Sequence, residues 1–318
     1  MSRIYEALQK AESDRKLDRG ELPQEKAANM YSSQSAVADY EMPAPVPVET
    51  EIRTFADVPT HSSTVSQGFT PLDLNGIARR PWTPSYSQLP ALLERGAAVE
   101  QFRSLRSRIH ELRDVSPLKS ILVSSGLPQE GKSFVAANLA ISLARHKNSK
   151  VLLIDGDMRR YTLHQLLGCE SHPGLAEYLA GKAGMVEVMQ RSEEIKDTDK
   201  MLQTILPNLT FIAGGNGGDK AADLSGNPRF GELIRESSPY FDWIVVDSSP
   251  VLPVSDAVNL ARACDGVLLV ARAGVTKYQT AQRAQNELRA SNILGFVLNA
   301  VEHQPHVGTY YGYDAEKE

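Results

Sequence analysis

Gly126-Leu127-Pro128-Gln129-Glu130-Gly131-Lys132-Ser133, followed by Phe134, fits the pattern G-x-x-x-x-G-K-[ST]. It stands between a β-branched run, Ser120 to Ser124, and a helix-period run, Lys132 to Arg145, the setting in which this pattern has a mechanism. The glycines let the backbone wrap phosphate groups, Lys132 can reach the β- and γ-phosphates, and the Ser133 hydroxyl can ligate Mg²⁺. Residues 126–134 are therefore expected to bind a nucleotide, with ATP and Mg²⁺ as cofactors.

Outward from this loop, helical stretches alternate with short apolar runs. The predicted strands are Ser120 to Ser124, Val151 to Asp155, Leu209 to Ala213, Trp243 to Asp247, Val267 to Ala271 and Gly295 to Leu298. Most lack polar alternation, as expected of strands buried on both faces of a parallel sheet. Lys132 to Arg145 and Thr276 to Ala290 read as helices between them. The expected fold is α/β, a doubly wound, mostly parallel sheet of the P-loop NTPase kind, with ligands at the carboxyl ends of its strands.

Two further strands end in aspartate: Val151-Leu-Leu-Ile-Asp155-Gly-Asp157-Met-Arg159-Arg160 and Trp243-Ile-Val-Val-Asp247-Ser-Ser-Pro250. A strand ending in Asp at the active edge completes the metal and water shell of a phosphate loop. Asp155 and Asp157 are two residues apart, so in an extended segment their side chains project to one side. One can then act as base toward an attacking hydroxyl while the other organises Mg²⁺.

Composition bounds the rest. The chain has 318 residues, 42% hydrophobic and 23% charged, which is ordinary for a soluble globular protein. Nine of its 18 prolines fall in the first 90 residues, together with Pro43-Ala-Pro-Val-Pro47 and the polar stretch Tyr31 to Asp39. That composition offers too little clustered apolar surface to offset its ordering entropy. The expected organisation is a short amphipathic helix in residues 1–19, a disordered linker over 20–96, a catalytic domain over 97–302 and a tail over 303–318. No apolar run reaches the ~20 residues of a membrane-spanning helix, and no secretory leader is read at Met1. Cys169 and Cys264 stand apart from other metal-ligating residues, so neither a disulfide nor a zinc scaffold is expected. A net charge of −5 argues against nucleic acid as partner. The chain reads as cytoplasmic.

The phosphate loop, the Ile-Asp155-Gly-Asp157-Met-Arg159 box and the Val-Val-Asp247-Ser-Ser-Pro250 box together resemble those of the bacterial tyrosine autokinases (BY-kinases) of capsule and exopolysaccharide synthesis. These descend from MinD/ParA-like P-loop ATPases. The resemblance spans roughly residues 97 to 313. It implies an ATP-dependent autokinase in which Lys132, Asp155, Asp157 and Arg159 are catalytic and Ser133, Asp157 and Asp247 hold the metal. Asn299 resembles a base-contacting residue. Glu100, Arg103 and Arg106 match an E-x-x-R-x-x-R motif used for subunit contact, which implies a homo-oligomeric ring. On the same helix Phe102, Leu105, Ile109 and Leu112 share an arc expected to face the core.

Tyr310, Tyr311 and Tyr313 place three of the chain's 11 tyrosines in its last nine residues. In the resembling family such a cluster is the phosphoacceptor, presented to the neighbouring subunit. The resemblance further implies a membrane chain-length regulator and a phosphotyrosine phosphatase as partners, with recruitment to the inner face of the membrane. Leu127 stands where the MinD/ParA branch carries a lysine, which argues against that branch. Two positions depart from the tyrosine-kinase pattern: Tyr161 replaces a proline after the two arginines, and Ser249 replaces a second proline after Asp247. A MinD/ParA-like ATPase and a nucleotide-gated assembly factor are the competing readings.

Overall fold

A computed structural model of the chain describes residues 73–146, 149–193 and 206–301. Eight strands form one sheet in the order β1-β4-β5-β3-β6-β2-β7-β8. They are β1 (Ala78–Arg80), β2 (Ser120–Ser125), β3 (Val151–Asp155), β4 (Met189–Ser192), β5 (Leu209–Ile212), β6 (Trp243–Asp247), β7 (Gly266–Arg272) and β8 (Ile293–Asn299). Every neighbouring pair is parallel except β4 with β5. The four central strands β5, β3, β6 and β2 are buried along their whole length, which is why their sequences are mostly apolar without regular polar alternation.

Helices cover both faces. They are α1 (Ala97–Val115), α2 (Lys132–Ala144), α3 (Leu163–Leu167), α4 (Leu175–Leu179), α5 (Ala221–Ser225), α6 (Arg229–Ser237), α7 (Asp256–Ala261) and α8 (Tyr278–Glu287). Alternate residues of the central strands feed two separate apolar layers. Leu122, Ile154, Ile244 and Val246 pack on one side, and Ile121, Val123, Leu153 and Val245 on the other, where α2 lies. α2 is buried nearly all round, from Val135 to Ala144, because α1 and the segment before it cover its outer face. Among the described residues no helix is long and apolar enough to cross a membrane.

Three expectations from the sequence are corrected here. The linker does not run to residue 96, since residues 73–96 pack on the domain. Ala78–Arg80 adds a parallel edge strand beside β4, and Trp82, Leu89, Ala91 and Leu92 join the core beside α2. The buried Asn138 side chain of α2 holds this segment, accepting from Ala91 N–H at 3.0 Å and donating to Gln88 C=O at 3.2 Å. Arg145 donates to the carbonyls of Ala91 and Leu93, both at 2.8 Å. Prolines here shape turns on a surface that supplies the missing apolar contacts from elsewhere in the chain.

The second correction concerns β4, which its sequence Met-Gln-Arg-Ser does not announce. It pairs antiparallel with β5 and buries Gln190 and Ser192. The third is Leu112 of α1, which is 36% exposed, whereas Val99, Phe102 and Ile109 form the buried face. The amino-terminal helix, residues 20–72 of the linker and the tyrosine-rich tail lie outside the described residues.

The packing of Trp82 generates a prediction. Its ring meets Phe211 edge-on, with centroids 6.3 Å apart. Trp82→Ala is expected to lower the stability of the domain by about 3 kcal/mol in urea unfolding; a linker residue would leave the midpoint unchanged.

Candidate active site

The site forms where β2, β3 and β6 end side by side. Register places Asp155 of β3 directly opposite Asp247 of β6, and Val123 of β2 also opposite Asp247. β2 runs on through Ser124 and Ser125 before the chain turns into the phosphate loop. That turn is held from the β6 side: Ser248 Oγ donates to Val123 C=O at 3.0 Å and Ser124 Oγ to Ser249 C=O at 2.8 Å. The proline replaced by Ser249 is thus not needed to keep these two strand ends together.

The loop reverses through two left-handed residues, Gln129 (φ 65°) and Gly131 (φ 96°). Backbone of this kind makes an anion-binding concavity. No side chain caps the start of α2, so its first N–H groups are available to a phosphate. Glycine is favoured at 131 by its left-handed backbone, and a Cβ there would also displace the Asn299 side-chain amide. Leu127 is exposed, and Phe134 turns away from the loop to pack on Phe102, with ring centroids 5.7 Å apart. Phe134 can therefore contribute to nucleotide binding only through its backbone.

Lys132 gathers the carboxylates. Its Nζ lies 3.0 Å from Asp157 Oδ2 and 3.2 Å from Ser133 Oγ. Burial opposes the ammonium charge, but Asp247, Asp157 and Asp155 outweigh it and raise the Lys132 pKa. Burial pushes Asp155 well above the usual carboxylate range, reinforced by Asp247 and moderated by the Leu163 N–H. Burial raises Asp247 too, opposed by Lys132 and by the nearby Ser133 hydroxyl.

The two residues of the Asp155-Gly-Asp157 box have different tasks. Asp155 is fully buried, with Oδ1 accepting from Asp157 N–H at 3.2 Å and Oδ2 from Leu163 N–H at 3.1 Å. Asp157 faces Lys132 with one oxygen and caps the following turn with the other, accepting from Arg160 N–H at 3.1 Å. Gly156 allows the β3 end to press against β6: its N–H donates to Asp247 C=O at 2.9 Å, and a Cβ would come within 2.6 Å of that oxygen.

Asp247 supplies the test for a metal. Both its oxygens are buried and lack a hydrogen bond of ordinary geometry, an arrangement costly for a carboxylate without a further partner. A hard-oxygen site of one carboxylate and the Ser133 hydroxyl, completed by phosphate oxygens and water, fits Mg²⁺.

The remaining expected residues are placed as follows. Arg159 pairs with buried Asp256 at the start of α7, Nε to Oδ2 at 2.7 Å, and that bond is the main cause of its raised pKa. It thus ties the loop after β3 to the segment after β6, a contact that sequence reading did not foresee. Asn299 donates from Nδ2 to Glu130 C=O at 3.0 Å, so it braces the phosphate loop. Tyr161 packs against His164 and His172, beside a glycine-rich run whose Gly214 would put a Cβ within 2.5 Å of Tyr161 Cβ. That run, Gly214-Gly-Asn-Gly-Gly218 after β5, marks in the sequence a place where backbone and side chain approach closely.

On α1, Glu100 and Arg103 form an exposed pair at 2.5 Å. Arg103 also donates to Glu94 C=O at 2.9 Å. Arg106 turns inward and donates to Ser142 C=O at 2.9 Å, so its guanidinium is already partly committed within the chain.

Residues 121–312 match the CobQ/CobB/MinD/ParA nucleotide binding domain. The chain is 32% identical to the tyrosine-protein kinase YwqD of Bacillus subtilis over 69% of its length and 87% of that protein. It is also 32% identical to the tyrosine-protein kinase wzc of Salmonella typhimurium, over 68% of this chain but 28% of that protein. The kinase domain of the Escherichia coli tyrosine kinase ETK superposes with a TM-score of 0.61 at 28% identity, covering 74% of this chain and 88% of that domain. The chain thus spans most of the Bacillus protein and about a quarter of the length of the Salmonella one.

Removing the ammonium should expose the electrostatic cost of this cluster. A carboxyl whose folded pKa lies above its unfolded value binds its proton more tightly when folded, so stability falls as pH rises between the two values. Lys132→Met widens that window. In EDTA and without nucleotide, the variant is expected to melt several degrees below the parent at pH 8 and to recover most of the difference by pH 5. A gap independent of pH would mean that Lys132 does not compensate these carboxylates.

Proposed function

The chain belongs to the bacterial tyrosine kinases built on the CobQ/CobB/MinD/ParA nucleotide-binding domain, and on that premise we propose that it transfers the γ-phosphoryl group of ATP to tyrosines in the tail of a neighbouring copy. The observation that carries this reading is one ammonium, Lys132, set among two strand-end carboxylates and Asp157 just beyond, at the mouth of a left-handed phosphate loop. Phosphoryl transfer needs positioning and charge neutralisation more than covalent help from the protein.

The roles follow from the geometry. The loop from Gly126 to Ser133 and the start of α2 hold the phosphates, and Lys132 balances charge as it develops on the transferred group. Mg²⁺, held by Ser133 and Asp247 with Asp157 directly or through water, would neutralise the β- and γ-phosphate oxygens. Asp155, made more basic by burial, accepts the proton of the incoming tyrosine hydroxyl. Arg159, fixed by Asp256, contributes positive charge on the acceptor side. Tyr310, Tyr311 and Tyr313 are the acceptors. Each phosphate adds about −1.5 to −2 charges, which weakens binding of the tail at an already acidic site.

Subunit contact through Glu100 and Arg103 is consistent with their exposure on α1; Arg106 would have to share its guanidinium with Ser142 C=O. A membrane chain-length regulator as activator, control of polysaccharide polymerisation, reversal by a phosphotyrosine phosphatase and recruitment to the inner membrane face complete the proposal. Residues 1–19 are assigned to docking on that synthesis machinery.

Incubation of the purified chain with Mg-ATP, with and without the cytoplasmic part of a membrane activator, tests the kinase reading by phosphotyrosine detection. Labelling is expected on the intact chain, to fall by about 10³-fold in Lys132→Met and to vanish in a chain ending at Thr309. Phosphate release without labelling, activator present, would replace this reading with that of a MinD/ParA-like ATPase.

A further inference from the structure

A carboxylate inside a loop built to hold a polyanion is unfavourable unless the protein spends it elsewhere, and Glu130 is spent elsewhere. Its side chain is buried at 4% exposure. Oε2 accepts the Leu127 N–H at 2.8 Å. Oε1 faces the hydroxyl of Thr276, in the turn between β7 and α8. That hydroxyl also accepts the Arg272 N–H at 2.8 Å, so its single proton is directed at Glu130. The Glu130 carbonyl receives Asn299 Nδ2 from the end of β8.

We propose that Glu130 and Thr276 form a strap that sets the shape of the phosphate loop, and that the turn after β7 is thereby part of the nucleotide-binding machinery. The proposal rests on the assignment of residues 126–134 as a nucleotide site. Both are positioning residues. The physical need for a strap is visible in the loop: Gln129, enclosed between Leu127 and Glu130, holds a left-handed conformation (φ 65°) that a residue with a Cβ adopts only when its surroundings over-determine it. Charge-assisted bonds to a carboxylate are strong enough to do this. The strap also takes the Leu127 amide out of the set that can donate to phosphate, leaving that task to the later loop and the start of α2.

The two ends lie 146 residues apart in the chain and on different elements. Only the pairing of β2 with β7 brings them together, Ser124 opposite Leu269 and Ser125 opposite Val270. α8 leans on the same loop from behind, where a Cβ at Gly126 would meet Thr280 at 3.3 Å and Ala284 at 3.5 Å. A shift of the β7–α8 turn is therefore felt at Glu130.

Binding of a fluorescent ADP analogue with Mg²⁺ to the full chain tests the strap, alongside steady-state kinase rates and melting temperatures without nucleotide. Thr276→Val is expected to weaken nucleotide binding about ten-fold, and Thr276→Ser, which keeps the hydroxyl, to restore it to within about two-fold. KM for ATP should rise in Thr276→Val while kcat at saturating ATP changes less than about three-fold. The double variant Glu130→Ala/Thr276→Val should bind no more weakly than Glu130→Ala alone, because the two side chains act as one unit. Unchanged affinity in Thr276→Val, with or without a lowered melting temperature, would overturn the strap, as would additive losses in the double variant. If the unaltered chain binds no nucleotide, the site assignment falls and the strap with it.

Discussion

Three carboxylates, Asp155, Asp157 and Asp247, lie within reach of one ammonium, Lys132, in a site from which most water is excluded. Each would be costly there alone. The arrangement exists because β3 and β6 are in register through their last residues and because Lys132 opens the helix that follows the neighbouring strand β2. Everything else near the site serves that juxtaposition. Gly156 lets β3 and β6 close up, Ser248 and Ser124 pin β6 to β2, and Arg159 with Asp256 joins the two loops that leave the strands.

The phosphate loop depends on the same logic of distant support. Its left-handed residues are not stable choices for an isolated peptide, apart from glycine. Glu130 binds across the loop to Leu127 and outward to Thr276, and Asn299 closes over Gly131 from the far edge of the sheet. The nucleotide site is thus braced by β7 and β8, while its acidic side is built by β3 and β6. A sheet buried on both faces is suited to this because its strand ends cannot move independently.

How much of this was legible differs by element, for physical reasons. β2, β3, β6 and β7 were readable because burial on both faces demands unbroken apolar runs, and the phosphate loop because its backbone geometry demands glycine at fixed spacing. β1 was hidden, since Pro71, Pro81, Pro84 and Pro90 make its surroundings resemble a linker and its pairing partner is the equally unannounced β4. β4 was hidden because Met-Gln-Arg-Ser carries no β-branched residue and earns its place through antiparallel pairing with β5. Leu112 kept helical spacing with the core face yet stayed exposed, while its neighbour Arg113 turns to the domain and sets its guanidinium 4.6 Å from the Trp243 ring centroid.

The sequence by itself determined the fold class, the phosphate loop, the two strand-terminal aspartate boxes and the family they mark, since each is a local demand of backbone geometry or burial on the residues that satisfy it. Only the tertiary structure decided that Asp155 stands opposite Asp247, that Arg159 is answered by Asp256, that Asn299 braces the loop, and that Glu130 is tied to Thr276. Those pairings join residues up to 169 apart in the chain. Charge and hydrogen-bond partners at such separation are set by strand order and register, which no local pattern records.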